Sequence, residues 1–238
     1  MSNTPTPPPA MSAWRERVEA ELAGVPYDKA LVTRLREGLA LAPLYAGPTA
    51  DPGYPGVFPH VRGGRAGDAR WRRTQLYRPG ELGALVDDVA AGTDGVWLEG
   101  EHAPAAVLSA VDPARTLIAA EHAPHAWLDA LGDRAAPHLV LGGAPTDAEL
   151  VRRVERTHPT ARTTLVSARE AHAAGAHAVQ ELGLALATAV AHLRALDAAG
   201  VSPDRAAPRF AFAFSVGRDL FVELAKLSLW LVTLARDL

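Results

Sequence analysis

The sequence predicts an α/β protein that contains about six parallel strands. Six short apolar runs lie between residues 71 and 217, and segments with helical spacing or Pro/Gly punctuation separate them. Strands that alternate with helices favour βα units. Continuous apolar runs, in place of strict alternation, are typical of strands that are covered on both faces. The predicted strands span 71–77, 95–100, 116–122, 138–143, 162–168 and 209–217.

The sequence pattern does not decide between a barrel and an open sheet. An eight-stranded (β/α) barrel needs two more strands than the sequence offers, and a doubly wound sheet fits the same alternation. With six strands, the strand at 71–77 and the strand at 209–215 would both be unpaired edges. The final helix, which contains Leu227, Trp230 and Leu234, is apolar nearly all round, and this predicts burial against a partner. We therefore expect self-association or a partner subunit.

The residues before the sheet predict a separate organisation. Residues 1–11 contain four prolines without the basic and apolar regions of a signal peptide, which predicts a disordered leader. Residues 12–70 predict an N-terminal extension, and residues 71–238 the sheet. Within the extension, Ser12 is a candidate N-cap for a first helix, and a second helix is predicted over 27–37, ending at Gly38.

Composition excludes several classes of protein. The chain has 24 basic and 27 acidic residues, a net charge of −3, so no nucleic-acid surface is expected. It contains no cysteine, which excludes disulfides, a thiolate nucleophile and cysteine-based metal sites. The uncharged run 227–235 is too short to cross a bilayer. We expect a cytoplasmic protein without a membrane or nucleic-acid partner.

Two short patterns have both a functional and a structural interpretation. Glu121, His122 and His125 lie close together in the sequence, and the two histidines could ligate zinc. Pro124 and the lack of a clear third ligand favour ordinary loop histidines, so no metal is expected. The Gly-Gly turn at 142–143 precedes a helix capped by Thr146 or Asp147. Such a turn can hold phosphate, although a tight βα connection is the simpler interpretation.

Five motifs occur in an order that resembles one known family. They read LALAPLY, PGVFPHVRGG, WRRTQLY, HAVQELGLALATAVAHLRAL and RFAFAFSVGRDLFVELAKL, and the similarity runs from about Trp14 to Leu227. Together they resemble the barrel half of the methylmalonyl-CoA mutases, which are adenosylcobalamin-dependent isomerases. The resemblance implies an N-terminal extension for subunit contacts followed by a TIM-type (β/α) barrel, here incomplete. It also implies radical interconversion of methylmalonyl-CoA and succinyl-CoA.

The departures from the family pattern concern the residues that perform the chemistry. Catalytic members carry a Tyr-His pair after the fifth strand, and Arg169 and Glu170 occupy those positions here. An imidazole can donate a hydrogen bond to a thioester oxygen, whereas an ionised glutamate only accepts. Residues 63–70 lack the family's tyrosine-rich stretch, and none of the nine histidines lies in the cobalt-ligating Asp-x-His-x-x-Gly motif.

The resemblance therefore implies a non-catalytic small subunit, with Arg169 and Glu170 as vacated positions. Its implied partners are a homologous large subunit and a CoA thioester, and adenosylcobalamin would belong to the complex and not to this chain alone. The residues that match the family and could contact substrate are Arg62, Gln75 and Gln180. Two alternatives stay open: a self-sufficient acyl-CoA enzyme in which Glu170 is the base and Arg169 orients it, and a truncated fragment without function.

Overall fold

The computed structural model describes residues 11–46, 51, 53–54, 56–58 and 71–237, with the backbone alone from 231 onward. The chain separates into two compact units, Met1–Pro52 and Gly53–Leu238. The predicted boundary at residue 70 lies outside the described residues.

The first unit consists of two helices and a two-stranded hairpin. Its elements are α1 (Met11–Glu21), α2 (Tyr27–Ala30), β1 (Thr33–Arg34) and β2 (Ala40–Leu41), and the two strands are antiparallel. The first predicted helix is confirmed, although it already includes Met11, so Ser12 lies within it and is not its N-cap. The second is wrong beyond Ala30. Its remaining residues form the hairpin, because Leu35 donates its N–H to the carbonyl of Leu39 and Gly38 adopts a positive φ of 80°. Gly38 thus turns a hairpin and does not end a helix.

The second unit contains all six strands that the sequence predicts. Each observed strand lies inside its predicted apolar run. The strands are β3 (Thr74–Tyr77), β4 (Gly95–Leu98), β5 (Leu117–Ala120), β6 (Leu139–Leu141), β7 (Thr164–Ser167) and β8 (Phe210–Ala213).

Helices connect these strands in the manner of βα units. The helices are α3 (Leu85–Ala90), α4 (Pro104–Ala110), α5 (Pro124–Leu131), α6 (Ala148–Thr157), α7 (Arg169–Ala173), α8 (Ala178–Ala198), α9 (Pro203–Ala206) and α10 (Leu220–Asp237), with 3-10 turns at Leu82–Ala84 and Ala207–Arg209. Several starts follow the local chemistry of helix N-termini. Proline occupies the first turn of α4 and α5, and the Asp147 carboxylate accepts the Leu150 N–H at 2.9 Å to cap α6.

All six strands run parallel and neighbour one another in chain order. β3, β4, β5 and β6 form a four-stranded sheet, and β7 pairs with β8. A parallel bridge between Val140 and Arg162 joins the two groups. Among the described residues no closed barrel forms, since β3 pairs only with β4 and β8 only with β7. The prediction of two open edges is confirmed for this part of the chain.

The core lies between the strands and the helices in two clusters. The first contains Trp127, Leu141 and Leu150, and it packs β3 to β6 against α3 to α6. The second packs β7 and β8 against α8 and α10, where the Trp230 ring meets the rings of Phe212 and Phe214 at 4.5 and 5.0 Å. α10 therefore buries Trp230 within the chain's own core.

A helix must be both long and apolar to cross a membrane. Over the described ranges, no single helix is long and apolar enough to cross a membrane. Ala178–Ala198 and Pro203–Arg209 meet that test only together, and they are bent by 120°.

Replacing Leu141 with Ala tests the first core cluster. Leu141 is completely buried, so the cavity and the lost transfer free energy should reduce the free energy of unfolding by about 2–5 kcal/mol. The same substitution at Leu184, which is 47% exposed, should cost less than about 0.5 kcal/mol. Urea titration followed by circular dichroism measures both, and equal losses would contradict the assigned core.

Candidate functional site

The carboxyl ends of three parallel strands bring together a charged cluster, here called the mouth cluster. Glu99 follows β4, Glu121 follows β5, and Arg169 begins α7 after β7. The Arg169 guanidinium lies 3.5 Å from Glu99 Oε1 and 3.4 Å from Glu121 Oε1. In parallel sheets with βα connections this edge is where functional side chains collect.

An aromatic ring fixes the guanidinium from a third direction. Arg169 Cζ lies 5.3 Å from the centre of the Trp97 ring, and the indole N–H of Trp97 donates to Glu121 Oε1 at 2.6 Å. Stacking of this kind contributes about 0.5–1 kcal/mol at partly exposed sites. The other oxygen of Glu99 pairs with Arg78 at 2.9 Å. The mouth cluster thus places its cations and carboxylates in mutual contact.

Glu170, the second of the two positions predicted to be vacated, makes a local contact. Its Oε2 accepts a hydrogen bond from the Ser167 hydroxyl at 3.0 Å, and the same hydroxyl oxygen accepts the Arg169 N–H at 3.3 Å. Glu170 therefore helps to close the turn from β7 into α7. A carboxylate in this place accepts hydrogen bonds, and it offers no donor to an incoming thioester oxygen.

A second charged cluster lies below α7 and is buried; we call it the Lys226 cluster. Lys226 Nζ lies 3.2 Å from Glu181 Oε2 and 2.5 Å from Glu223 Oε2, and it donates to the Ser215 carbonyl at 2.7 Å. His172 Nδ1 contacts the other oxygen of Glu181 at 2.8 Å. The side chains of Lys226 and Glu181 are 0% and 1% exposed.

This burial makes the pairing within the Lys226 cluster essential. An unpaired charge withdrawn from water is costly, whereas a paired and hydrogen-bonded charge is tolerated. The pKa of Glu223 lies below its ordinary value, because burial, which raises it, is outweighed by hydrogen bonds from Lys226 and the Gly217 N–H and by the Lys226 charge. The cluster joins α7, α8, α10 and the loop after β8.

Neither of the described residues predicted to contact substrate, Gln75 and Gln180, belongs to the mouth cluster. Gln75 is exposed on β3, and its amide donates to the adjacent Leu76 carbonyl at 3.4 Å. The side-chain oxygen of Gln180 accepts the His177 N–H at 3.1 Å and forms a capping box at the start of α8. Arg62 lies outside the described residues. Their roles in substrate binding stay predictions.

The two patterns with alternative interpretations have structural explanations in the described chain. Glu121 binds Trp97 and Arg169, while His125 pairs with Asp147 at 2.9 Å. No group of three or more metal-ligating side chains occurs within the residues described. At Gly142 an added Cβ would lie 2.5 Å from the Glu121 carbonyl oxygen. The glycine is therefore required by the close approach of two strand ends.

Sequence reasoning missed most of both clusters, although one signal was readable. Glu99 and Glu121 each lie one residue before the end of a predicted strand, and that position places them near the carboxyl edge. The pairing of Glu181 with Lys226 had no comparable signal, because 45 residues separate them in the chain.

Comparison with known proteins links this scaffold to one family. A sequence model described as methylmalonyl-CoA mutase matches residues 146–231. The methylmalonyl-CoA mutase small subunit of Streptomyces virginiae is 30% identical over 261 residues, which covers 90% of this chain. The small subunit of Porphyromonas gingivalis (strain ATCC BAA-308 / W83) is 29% identical and covers 92%. The chain belongs to the methylmalonyl-CoA mutase family.

The match covers a smaller share of each relative than of this chain. The chain spans about 42% of the length of each of the two small subunits. The methylmalonyl-CoA mutase of Escherichia coli (strain K12) is 32% identical over 80 residues, 34% of this chain and 11% of that protein. Both charged clusters include residues inside the segment that the family model matches, namely Arg169, Glu181, Glu223 and Lys226.

Replacing Lys226 with Met tests the buried cluster. The substitution leaves Glu181 and Glu223 without their shared cation, so the free energy of unfolding should fall by about 3–5 kcal/mol. Lys29→Met removes an exposed lysine and should change it by less than about 0.5 kcal/mol. Chemical denaturation at pH 7 measures both, and a loss below 1 kcal/mol for Lys226→Met would show that the cluster contributes little.

Glu223→Gln tests the pH dependence of the same cluster. Since the pKa of Glu223 is lower in the folded chain than in the unfolded chain, the ionised carboxylate stabilises the fold above its unfolded pKa. This stabilisation is lost as the pH falls through the folded pKa. Wild type should therefore exceed the variant in unfolding free energy at pH 7, and the difference should shrink steadily below about pH 4.5.

Denaturation midpoints measured from pH 3 to pH 7 provide this comparison. Glu149→Gln, at an exposed residue of α6, serves as the matched control and should follow wild type throughout. A difference between wild type and Glu223→Gln that stays constant with pH would contradict the assignment.

Proposed function

We propose that this chain acts as a non-catalytic, small-subunit-like component of a methylmalonyl-CoA mutase. In this role it supports a homologous large subunit, which binds adenosylcobalamin and interconverts methylmalonyl-CoA and succinyl-CoA in the cytoplasm. Family membership and the small-subunit relatives support the proposal. The chain contributes a folded surface to the complex and no reacting group.

The observation that carries the proposal is the position of Arg169 between Glu99 and Glu121. A catalytic donor at this edge would have to face a bound thioester. Here the Arg169 guanidinium contacts two carboxylates and the Trp97 ring of the same chain. Glu170 accepts from Ser167 and would repel a thioester oxygen. The contacts of both residues therefore favour a structural role over a catalytic one.

The corrinoid cofactor does not fit the side chains of the mouth cluster. The cobalt-ligating residue that the family resemblance implies is a histidine, and the mouth cluster consists of tryptophan, glutamate and arginine side chains. His172, the histidine nearest to Arg169 in the chain, contacts Glu181 in the buried cluster. We therefore assign adenosylcobalamin to the partner and derive no step through it on this chain.

Co-expression with a homologous large subunit tests the proposal. The two chains should copurify, and mutase activity measured with added adenosylcobalamin should fall when this chain is left out. The isolated chain should not rearrange methylmalonyl-CoA under the same conditions. Rearrangement by the isolated chain would refute the non-catalytic assignment.

Glu170→Gln distinguishes this role from that of a self-sufficient acyl-CoA enzyme. Loss of a general base lowers turnover by roughly 10²–10⁴-fold, whereas a vacated position should leave the activity of the complex within about twofold of wild type. The substitution keeps the side-chain oxygen that accepts from Ser167. The turnover of the purified complex is the measurement, and a hundredfold loss would make Glu170 catalytic.

A further inference from the structure

Helix α7 lacks the apolar anchoring that holds most helices of the second unit. It has five residues, Arg169–Ala173, and none of them is buried. Helices in proteins owe most of their stability to the packing of an apolar face. The position of α7 therefore depends on its three polar side chains: Arg169 in the mouth cluster, Glu170 on Ser167 and His172 on Glu181.

Of these three residue types, histidine is the one that ordinarily changes its charge near neutral pH. Arginine stays protonated throughout, and glutamate carboxylates are ordinarily ionised above pH 5. Histidine gains and loses a proton between pH 5 and pH 8. His172 is also accessible to protons from solvent, because its side chain is 33% exposed while its partner Glu181 is 1% exposed.

The groups that face His172 make its protonation state consequential. From α8 comes Glu181, 2.8 Å away; from α10 come Lys226 and Glu223, which pair with each other; and from its own helix come Arg169 and Glu170. With a neutral imidazole, the Lys226 cluster holds two carboxylates and one ammonium and carries a net charge of −1. A protonated His172 makes the cluster neutral.

We propose that His172 is a protonation-controlled latch that holds α7 against the Lys226 cluster. When the imidazole is protonated, it forms an ion pair with a carboxylate that is itself withdrawn from water. When it is neutral, one ordinary hydrogen bond remains and the cluster keeps an uncompensated negative charge. His172 is a positioning residue, and it acts on the mouth cluster through the helix that carries Arg169.

The protonation state of His172 also affects the mouth cluster at the carboxyl edge of the sheet. With a protonated His172, α7 is held on Glu181 and Arg169 stays between Glu99 and Glu121. With a neutral His172, α7 moves more freely, and the mouth cluster loses its fixed guanidinium. This inference concerns the chain itself and does not depend on the proposed role as a subunit.

A nitroxide on α7 measures the latch directly. The chain has no cysteine, so Ala173→Cys at an exposed position gives a single labelling site in the full-length protein. Electron paramagnetic resonance between pH 5 and pH 8 should show a label that is more immobile at low pH. We expect the ratio of immobile to mobile components to change by about threefold or more, as the ion pair replaces a neutral hydrogen bond.

Two variants at position 172 separate titration from general structural damage. His172→Gln keeps a neutral donor for Glu181, so the spectrum should no longer change with pH. His172→Arg keeps a permanent charge, so the label should stay immobile across the range. Circular dichroism at both pH limits checks that each variant is folded, and either variant alone decides the question.

His125→Gln is the matched control, because His125 also pairs with a carboxylate, that of Asp147, at 2.9 Å. It should retain the full pH response of the label. The latch is overturned if the wild-type background shows no transition between pH 5 and pH 8. It is equally overturned if the transition persists in a folded His172→Gln or His172→Arg protein, or if His125→Gln abolishes it.

Discussion

All six strands of the second unit run in one direction, and this constraint determines where its charged residues meet. Parallel strands need a crossover between each pair, and the helices α3 to α8 supply these crossovers. The carboxyl ends of β4, β5 and β7 therefore lie along one edge, and the residues that follow them are brought into contact. Glu99, Glu121 and Arg169 are far apart in the chain but adjacent at this edge.

The two charged clusters differ in their exposure to water. The mouth cluster is partly exposed, with 28% of the Arg169 side chain accessible, and water screens its ion pairs to a substantial degree. Its contribution is to orient groups more than to stabilise the fold. The Lys226 cluster is almost wholly withdrawn from water, and each of its charges requires the others. Helix α7 belongs to both clusters and joins them.

Family membership accounts for the residues of the Lys226 cluster better than for those of the mouth cluster. The motifs that carry the resemblance include Glu181 on α8 and Glu223 and Lys226 on α10, and these residues form one buried unit. Arg169 and Glu170, which are predicted to stand at the family's Tyr-His positions, make their contacts within the chain. The charges of the Lys226 cluster are buried and depend on one another for stability, whereas those of the mouth cluster are partly exposed.

The sequence by itself determined the number of strands, their parallel direction and their helical crossovers, because continuous apolar runs and Pro/Gly punctuation are local signals. It also placed Arg169 and Glu170 after the fifth strand of the sheet. It did not determine the hairpin at residues 33–41, where cross-strand hydrogen bonds prevail over the helical spacing that predicted a helix to residue 37. Only the tertiary structure decided that Lys226 lies between Glu181 and Glu223 and that His172 joins them. The reason is that such pairings depend on which helix faces pack together, and residues 45 positions apart carry no local sign of their contact.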